Sequence, residues 1–185
     1  MVVDGNSLVE YPELSFETLV RPDDLNAITK RSIDCNHITA AMVAHAPAFR
    51  SVAQQIFDVL DGRIWLGHNI VQFDIPHLTR HFELAGLPVP QPLGVIDTLP
   101  LLREHFGKRA GNMTMASLGR FFGQGEEEHR ALADARMTME VVKHAGALLF
   151  LEERSVFPTL DPEPEQAAEP EPEREVEPDP KREAQ

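Results

Sequence analysis

Asp74, His129 and Asp134 are the residues whose types and settings could do chemistry together. Asp74 follows the apolar run Ile64-Trp65-Leu66, which stops at Gly67, turns through His68 and Asn69, and restarts as a helix. The carboxylate is therefore expected in a first helical turn, at the carboxyl end of a buried strand. Open α/β sheets gather ligands at that end, which makes Asp74 a candidate metal ligand. An acid in that position also suits the positive end of the helix dipole with no further role. His129 precedes Asp134 by five residues, and the two converge only if the histidine lies in a loop and the aspartate on the following helix. An aspartate holding a divalent cation beside an imidazole able to take a proton from water would suit phosphodiester hydrolysis. Taken singly, a loop histidine and a helix-start acid are ordinary surface features, so the pair gains weight only beside Asp74.

The elements that must hold these groups follow from apolar periodicity. Met1-Val2-Val3 leads into an Asp4-Gly5 turn, and Leu14 to Val20 alternates apolar and polar before Arg21-Pro22, the pattern of a hairpin with an abbreviated first arm. Asp23 to Ser32 reads as a polar loop, and Ile38 to His45 as a short helix ending before Pro47. Phe49, Val52, Ala53, Ile56 and Leu60 form a helical stripe closed by Asp61-Gly62. After the Ile64 to Leu66 strand, Phe73, His77, Leu78 and Phe82 predict a helix reaching about Leu87, with that face buried. Val95-Ile96-Asp97-Thr98 is a second short strand, Leu99 to Phe106 a helix, and Gly107 to Gly111 a basic, flexible loop. Met115, Leu118, Phe121 and Phe122 mark another helix ended by Gly123. Leu132, Ala135, Met139, Val142 and Leu149 mark a long helix to Leu151, with Met137 and Met139 as packing residues. Strands alternating with helices indicate an α/β fold, and the opening hairpin would make its sheet mixed.

Composition bounds the possibilities. The 185 residues are 42% hydrophobic, enough for one domain with a core. The formal net charge is −13, of which Pro158 to Gln185 holds ten acids against three bases. That segment is rich in Glu and Pro and lacks aromatics, so it is expected to stay unfolded as a tail behind a domain spanning residues 1–157. Whole-chain acidity argues mildly against a nucleic-acid binder but is silent about a local basic rim or a bound cation. The single cysteine, Cys35, excludes an internal disulfide framework and suits a reducing compartment. No run is long and apolar enough to span a bilayer and no charged-then-apolar signal opens the chain, so the expectation is an intracellular protein, in cytoplasm or nucleus.

Gly67-His68-Asn69-Ile70-Val71-Gln72-Phe73-Asp74 resembles the second motif, and His129-Arg130-Ala131-Leu132-Ala133-Asp134 the third, of the DEDDh 3′-5′ exonucleases of the proofreading-subunit and RNase T type. Phe16 to Pro22 and Ile96-Asp97-Thr98 resemble that family's third and fifth strands, and the likeness runs from about Met1 to Leu151. Arg63 to His68, Phe106 to Gly111 and Leu148 to Leu151 look most similar to plant NAC-dependent exonuclease-domain proteins. The resemblance implies a ribonuclease H-like mixed sheet flanked by helices, with Asp74 and Asp134 binding Mg²⁺ or Mn²⁺ and His129 acting as general base. It implies nucleic-acid 3′ ends as substrate, DNA or RNA. Two ions about 4 Å apart would be held by four carboxylates in the complete family site. The family's first motif, an Asp-x-Glu strand, has no counterpart here, because Asp4-Gly5 matches a turn. The expectation is therefore an amino-terminally incomplete exonuclease domain that lacks the first strand and most of the second, and is inactive or weak by itself. Asn36-His37-Ile38-Thr39 also departs from the family's usual His-Gly-Ile. Asn69, Lys108 and Arg109 are the candidate substrate contacts, the last two because their loop lies between the recognised blocks; Arg103 and Arg130 are further cations. A noncatalytic nucleic-acid-binding or protein-interaction module derived from this fold is the alternative, and a regulatory protein dominated by its acidic tail a third.

Overall fold

The computed structural model describes residues 1–125 and 129–154. Its centre is a two-stranded parallel sheet in which β1 (Ile64–Gly67) pairs with β2 (Gly94–Asp97), Trp65 opposite Val95 and Gly67 opposite Asp97. Parallel pairing needs a crossover, and α4 (Asp74–Leu84) supplies it. Before β1 come α1 (Lys30–Asn36), α2 (Ala40–Val43) and α3 (Phe49–Leu60); after β2 come α5 (Thr98–Phe106), α6 (Met115–Phe121) and α7 (Ala131–Glu153).

Two groups of side chains hold the elements. Phe82 of α4 is 1% exposed and meets Phe49 of α3 edge-on at 5.2 Å between ring centroids, with Phe57 at 6.5 Å. The second group joins α5, α6 and α7 through Leu102, Phe106, Met113, Met115, Leu118 and Val141. Burying side chains of this size contributes on the order of 1.5–3 kcal/mol each, so these clusters carry most of the driving force for packing. Gly119 lets α6 approach closely, since a Cβ there would stand 3.1 Å from the Gly125 carbonyl and 3.3 Å from Met137 Sδ. Met139 is buried and Met137 packs against the same cluster, as the methionine spacing suggests.

The structure departs from the sequence expectations at identifiable places. Leu14 to Val20 forms no strand; the region has only isolated bridges, antiparallel Val3 to Glu10 and parallel Arg21 to Ala48. The sheet among the described residues is therefore parallel rather than mixed. Alternation makes a strand only when a neighbour offers a ladder, and none is offered there among the described residues. Asp4 instead closes its own turn, Oδ1 accepting from the backbone of Asn6 and Ser7. Within the expected 23–32 loop, a 3-10 turn forms at Leu25–Ala27 and α1 begins at Lys30. Phe73, expected to be buried, is 59% exposed at the helix start, where its ring meets that of His77 edge-on with centroids 4.7 Å apart. The helix ends at Leu84 rather than near Leu87, Thr98 belongs to α5 rather than to the strand, and the expected flexible loop at Gly107 is a 3-10 turn through Ala110. The Pro/Glu-rich stretch 158–185 lies outside the described residues. No helix among the described residues is long and apolar enough to cross a membrane.

Candidate active site

The turn between β1 and α4 is shaped by small spacing and by a carboxylate from the neighbouring strand. Gly67 ends β1 where a Cβ would lie 2.9 Å from Ile70 Cβ, so only hydrogen fits without displacing Ile70. Asn69 takes a left-handed conformation, φ 61°, which asparagine adopts more readily than most residues. Asp97, at the end of β2, grips this turn: Oδ1 accepts from Asn69 N at 2.9 Å and Oδ2 from Val71 N at 3.2 Å. The same Oδ1 accepts from Leu99 N at 3.0 Å, capping α5. One side chain thus ties the exits of both strands together and sets where α5 begins. The helix after the β1 turn, α4, opens on Asp74, as its spacing from Gly67 predicts. Although the residue as a whole is exposed, partial burial of its carboxyl is the largest influence and raises the pKa above the ordinary aspartate value. A hydrogen bond from its own backbone and the charge of His77 pull the other way, while Asp97 adds to the rise.

His68 connects this turn to the other half of the molecule. Its Nε2 lies 2.8 Å from the carbonyl oxygen of Met113 and its Nδ1 2.9 Å from Thr98 Oγ1. A carbonyl can only accept, so Nε2 carries the hydrogen; in the neutral ring Nδ1 then accepts from the Thr98 hydroxyl. Thr98 is wholly buried, and Met113 directly precedes Thr114, the residue that caps α6. From α6, Met115 Sδ stands 4.0 Å from Thr138 Oγ1, and the same hydroxyl donates to the Asp134 carbonyl at 2.9 Å. A continuous path of contacts therefore runs from β1 to the first turn of α7. Asp134 sits in that first turn and is half-buried, whereas His129 is exposed in the loop before α7 with φ 54°. This is the loop-and-helix division that convergence of the two requires. Arg136, on the next part of α7, makes a bidentate pair with Glu10 at 2.9 and 3.1 Å, docking the amino-terminal turn on the helix.

Residues 1–142 match the profile of the RNase T exonuclease family. The chain belongs to that family. It is 50% identical over 138 residues to Protein NEN4 of Arabidopsis thaliana, a match covering 75% of this chain and 54% of the relative. Protein NEN2 of the same plant is 47% identical over 152 residues, 82% of this chain and 31% of the relative. A more distant likeness, 35% over 127 residues, links it to a DNA polymerase III subunit epsilon-like protein of Rhodobacter capsulatus, covering 68% of this chain and 17% of that protein. The chain thus spans about half the length, or less, of these relatives.

Members of the RNase T family use divalent metal ions, and the donor chemistry here suits one. Asp74 and Asp134 offer the hard oxygens that Mg²⁺ and Mn²⁺ take, and Asp74 is a carboxylate whose charge its surroundings disfavour, a condition a cation relieves. The number of donors does not close a cage: among the described residues, no three His, Cys, Asp or Glu side chains gather at a spacing that could hold a metal. The fit is to part of a metal site.

The candidate cations divide into two kinds. Lys108, Arg103 and Arg130 make no ion pair among the described residues, and the first two are exposed. Arg109, expected at a phosphate, is instead committed to Glu152 at 2.6 Å and lies over the Phe106 ring at 5.5 Å. Its side chain is only 18% exposed, so here it fastens the 3-10 turn to the end of α7. The residues that sequence reasoning left without a role are His68, Asp97 and Thr98. Asp97 carried a detectable signal, a polar residue ending a strand immediately before a helix, which is where N-caps are found.

Proposed function

We propose that this chain is the part of a metal-dependent 3′-5′ exonuclease that carries the second and third acidic motifs, acting on nucleic-acid 3′ ends. The observation that carries the reading is the family match over residues 1–142 together with Asp74 and Asp134 each lying in the first turn of a helix. In this reading Asp74 and Asp134 are the metal-holding carboxylates, and bound Mg²⁺ would neutralise charge developing on the phosphodiester. His129, exposed at the mouth of α7, takes the proton from the attacking water. Lys108 draws in the phosphate backbone, and Asn69, held by Asp97, presents its side chain to the terminal nucleotide. Two carboxylates give a weak cage, so these residues alone should degrade nucleic acid slowly or not at all.

Labelled single-stranded oligonucleotides of DNA and RNA test the proposal in Mg²⁺ and in Mn²⁺. The expected result is little mononucleotide release by the chain itself and release from the 3′ end once a strand bearing an Asp-x-Glu pair is added to it. In that restored enzyme, His129→Ala should slow turnover by about 10²–10⁴-fold with affinity for the oligonucleotide retained. Asp134→Asn should instead weaken metal binding. Binding of oligonucleotide without any metal-dependent cleavage in the restored enzyme would favour a noncatalytic binding module and defeat the catalytic reading.

A further inference from the structure

We propose that His68 is a positioning residue that fixes the distance between α4, which opens on Asp74, and α7, which carries Asp134 in its first turn. The inference rests on the reading of those two aspartates as the metal-holding pair, but its geometric content is independent of it. Three observations carry it. The imidazole spans between elements far apart in the chain, reaching a carbonyl 45 residues away at 2.8 Å and a hydroxyl 30 residues away at 2.9 Å. Both partners are buried, Thr98 at 0% and Met113 at 4% exposure, so water cannot readily replace a lost bond and an unsatisfied group there is costly. The two ends of the tie lie in turns that lead into helices: His68 is in the turn feeding α4, and Met113 is in the turn feeding α6, which packs on α7 through Met115 and Thr138.

The atoms say which bond matters. Met113 offers only an acceptor, so the link to α6 needs a donor at the Nε2 position. A glutamine can place its amide nitrogen there; an alanine cannot. A side chain that serves only as filler would be replaced best by an apolar residue of similar volume. One whose donor matters would be replaced best by glutamine and badly by leucine. Groups that support the ligands of a metal site typically alter metal affinity by 10–100-fold when removed, which sets the size of effect to look for.

The test measures the helix separation directly. Spin labels at Glu83→Cys on α4 and Ala147→Cys on α7, both exposed positions, are introduced with the native Cys35 changed to serine. The distance distribution between the labels is then recorded without metal. His68→Ala and His68→Leu are expected to broaden or shift it, and His68→Gln to restore most of it. Thr98→Val keeps the buried volume while removing the hydroxyl on Nδ1, so it should broaden the distribution even if the alanine variant fails to fold. In parallel, Mn²⁺ titration should show affinity at least tenfold weaker in His68→Leu than in His68→Gln. An unchanged distribution in His68→Leu and Thr98→Val, or a glutamine variant no better than leucine, overturns the inference. A distribution that shifts as expected in a protein that binds no Mn²⁺ supports the positioning role and counts against the metal reading.

Discussion

Removing the Asp97 carboxylate should loosen the joint between the two strands and the helices that follow them. The size of the effect follows from its three backbone contacts. The cap on Leu99 N at 3.0 Å is worth about 1 kcal/mol. The bond from Asn69 N, at 2.9 Å to a charged acceptor in a half-buried setting, adds about 1.5 kcal/mol. Val71 N is solvent-exposed and 3.2 Å away, so water replaces that contact at a cost of about 0–0.5 kcal/mol. Asp97→Ala should therefore cost about 2.5–3 kcal/mol, which for a domain of this size lowers Tm by about 6–10 °C. Asp97→Asn keeps a carbonyl oxygen for Asn69 N and Leu99 N, and turns its amide towards Val71 N. It should cost about 1 kcal/mol, or about 3 °C. Calorimetry or circular dichroism melts of the three proteins at neutral pH measure both shifts. An alanine variant melting with the wild type, or an asparagine variant melting as low as alanine, would refute the acceptor argument.

Asp74→Asn should raise stability in metal-free buffer at neutral pH, because burial makes the ionised carboxylate unfavourable in the folded chain. The folded pKa lies above the unfolded one, so wild-type stability falls as pH rises through the interval between them, and the advantage of the asparagine variant should vanish below it; melts across acidic pH check the sign. Gly67→Ala should cost about 1–3 kcal/mol through collision with Ile70, and Ile70→Ala in the same chain should recover part of the loss, measured by urea unfolding. Glu152→Gln strands the Arg109 charge and should cost about 2 kcal/mol, whereas Arg109→Met with Glu152→Met should melt close to the wild type.

Much of the scaffold was legible because its helices carry apolar stripes. The stripe from Phe49 to Leu60 forms α3 within the expected bounds, and Met115 to Phe121 forms α6. What escaped was held by other means. α1 has no buried residue; its start is fixed by a reciprocal pair of hydrogen bonds between Thr29 and Ser32, which periodicity cannot register. The alternation in Leu14 to Val20 misled because a strand is made by its neighbours, which a linear pattern does not contain. At the site, the first-turn positions of Asp74 and Asp134 and the loop position of His129 follow from local order. The partners of His68 and Arg109 lie 30 to 45 residues away, beyond any local signal.

Asn69 and Met113, on either side of the His68 tie, both hold left-handed backbone, at φ 61° and 62°. For residues with a Cβ that conformation is disfavoured by roughly 1–2 kcal/mol, less for asparagine, and the surrounding bonds must offset it. A segment kept in place against its own preference gives way before one that is relaxed. On warming, the first solvent entry should occur at the turns around residues 69 and 113, while the aromatic contacts of Phe82 and Phe106 still hold. Amide hydrogen exchange at positions 69 to 71 should therefore proceed by local opening, faster than global unfolding allows. The rigidity of the candidate site is thus conditional, borrowed from hydrogen bonds rather than from its own backbone.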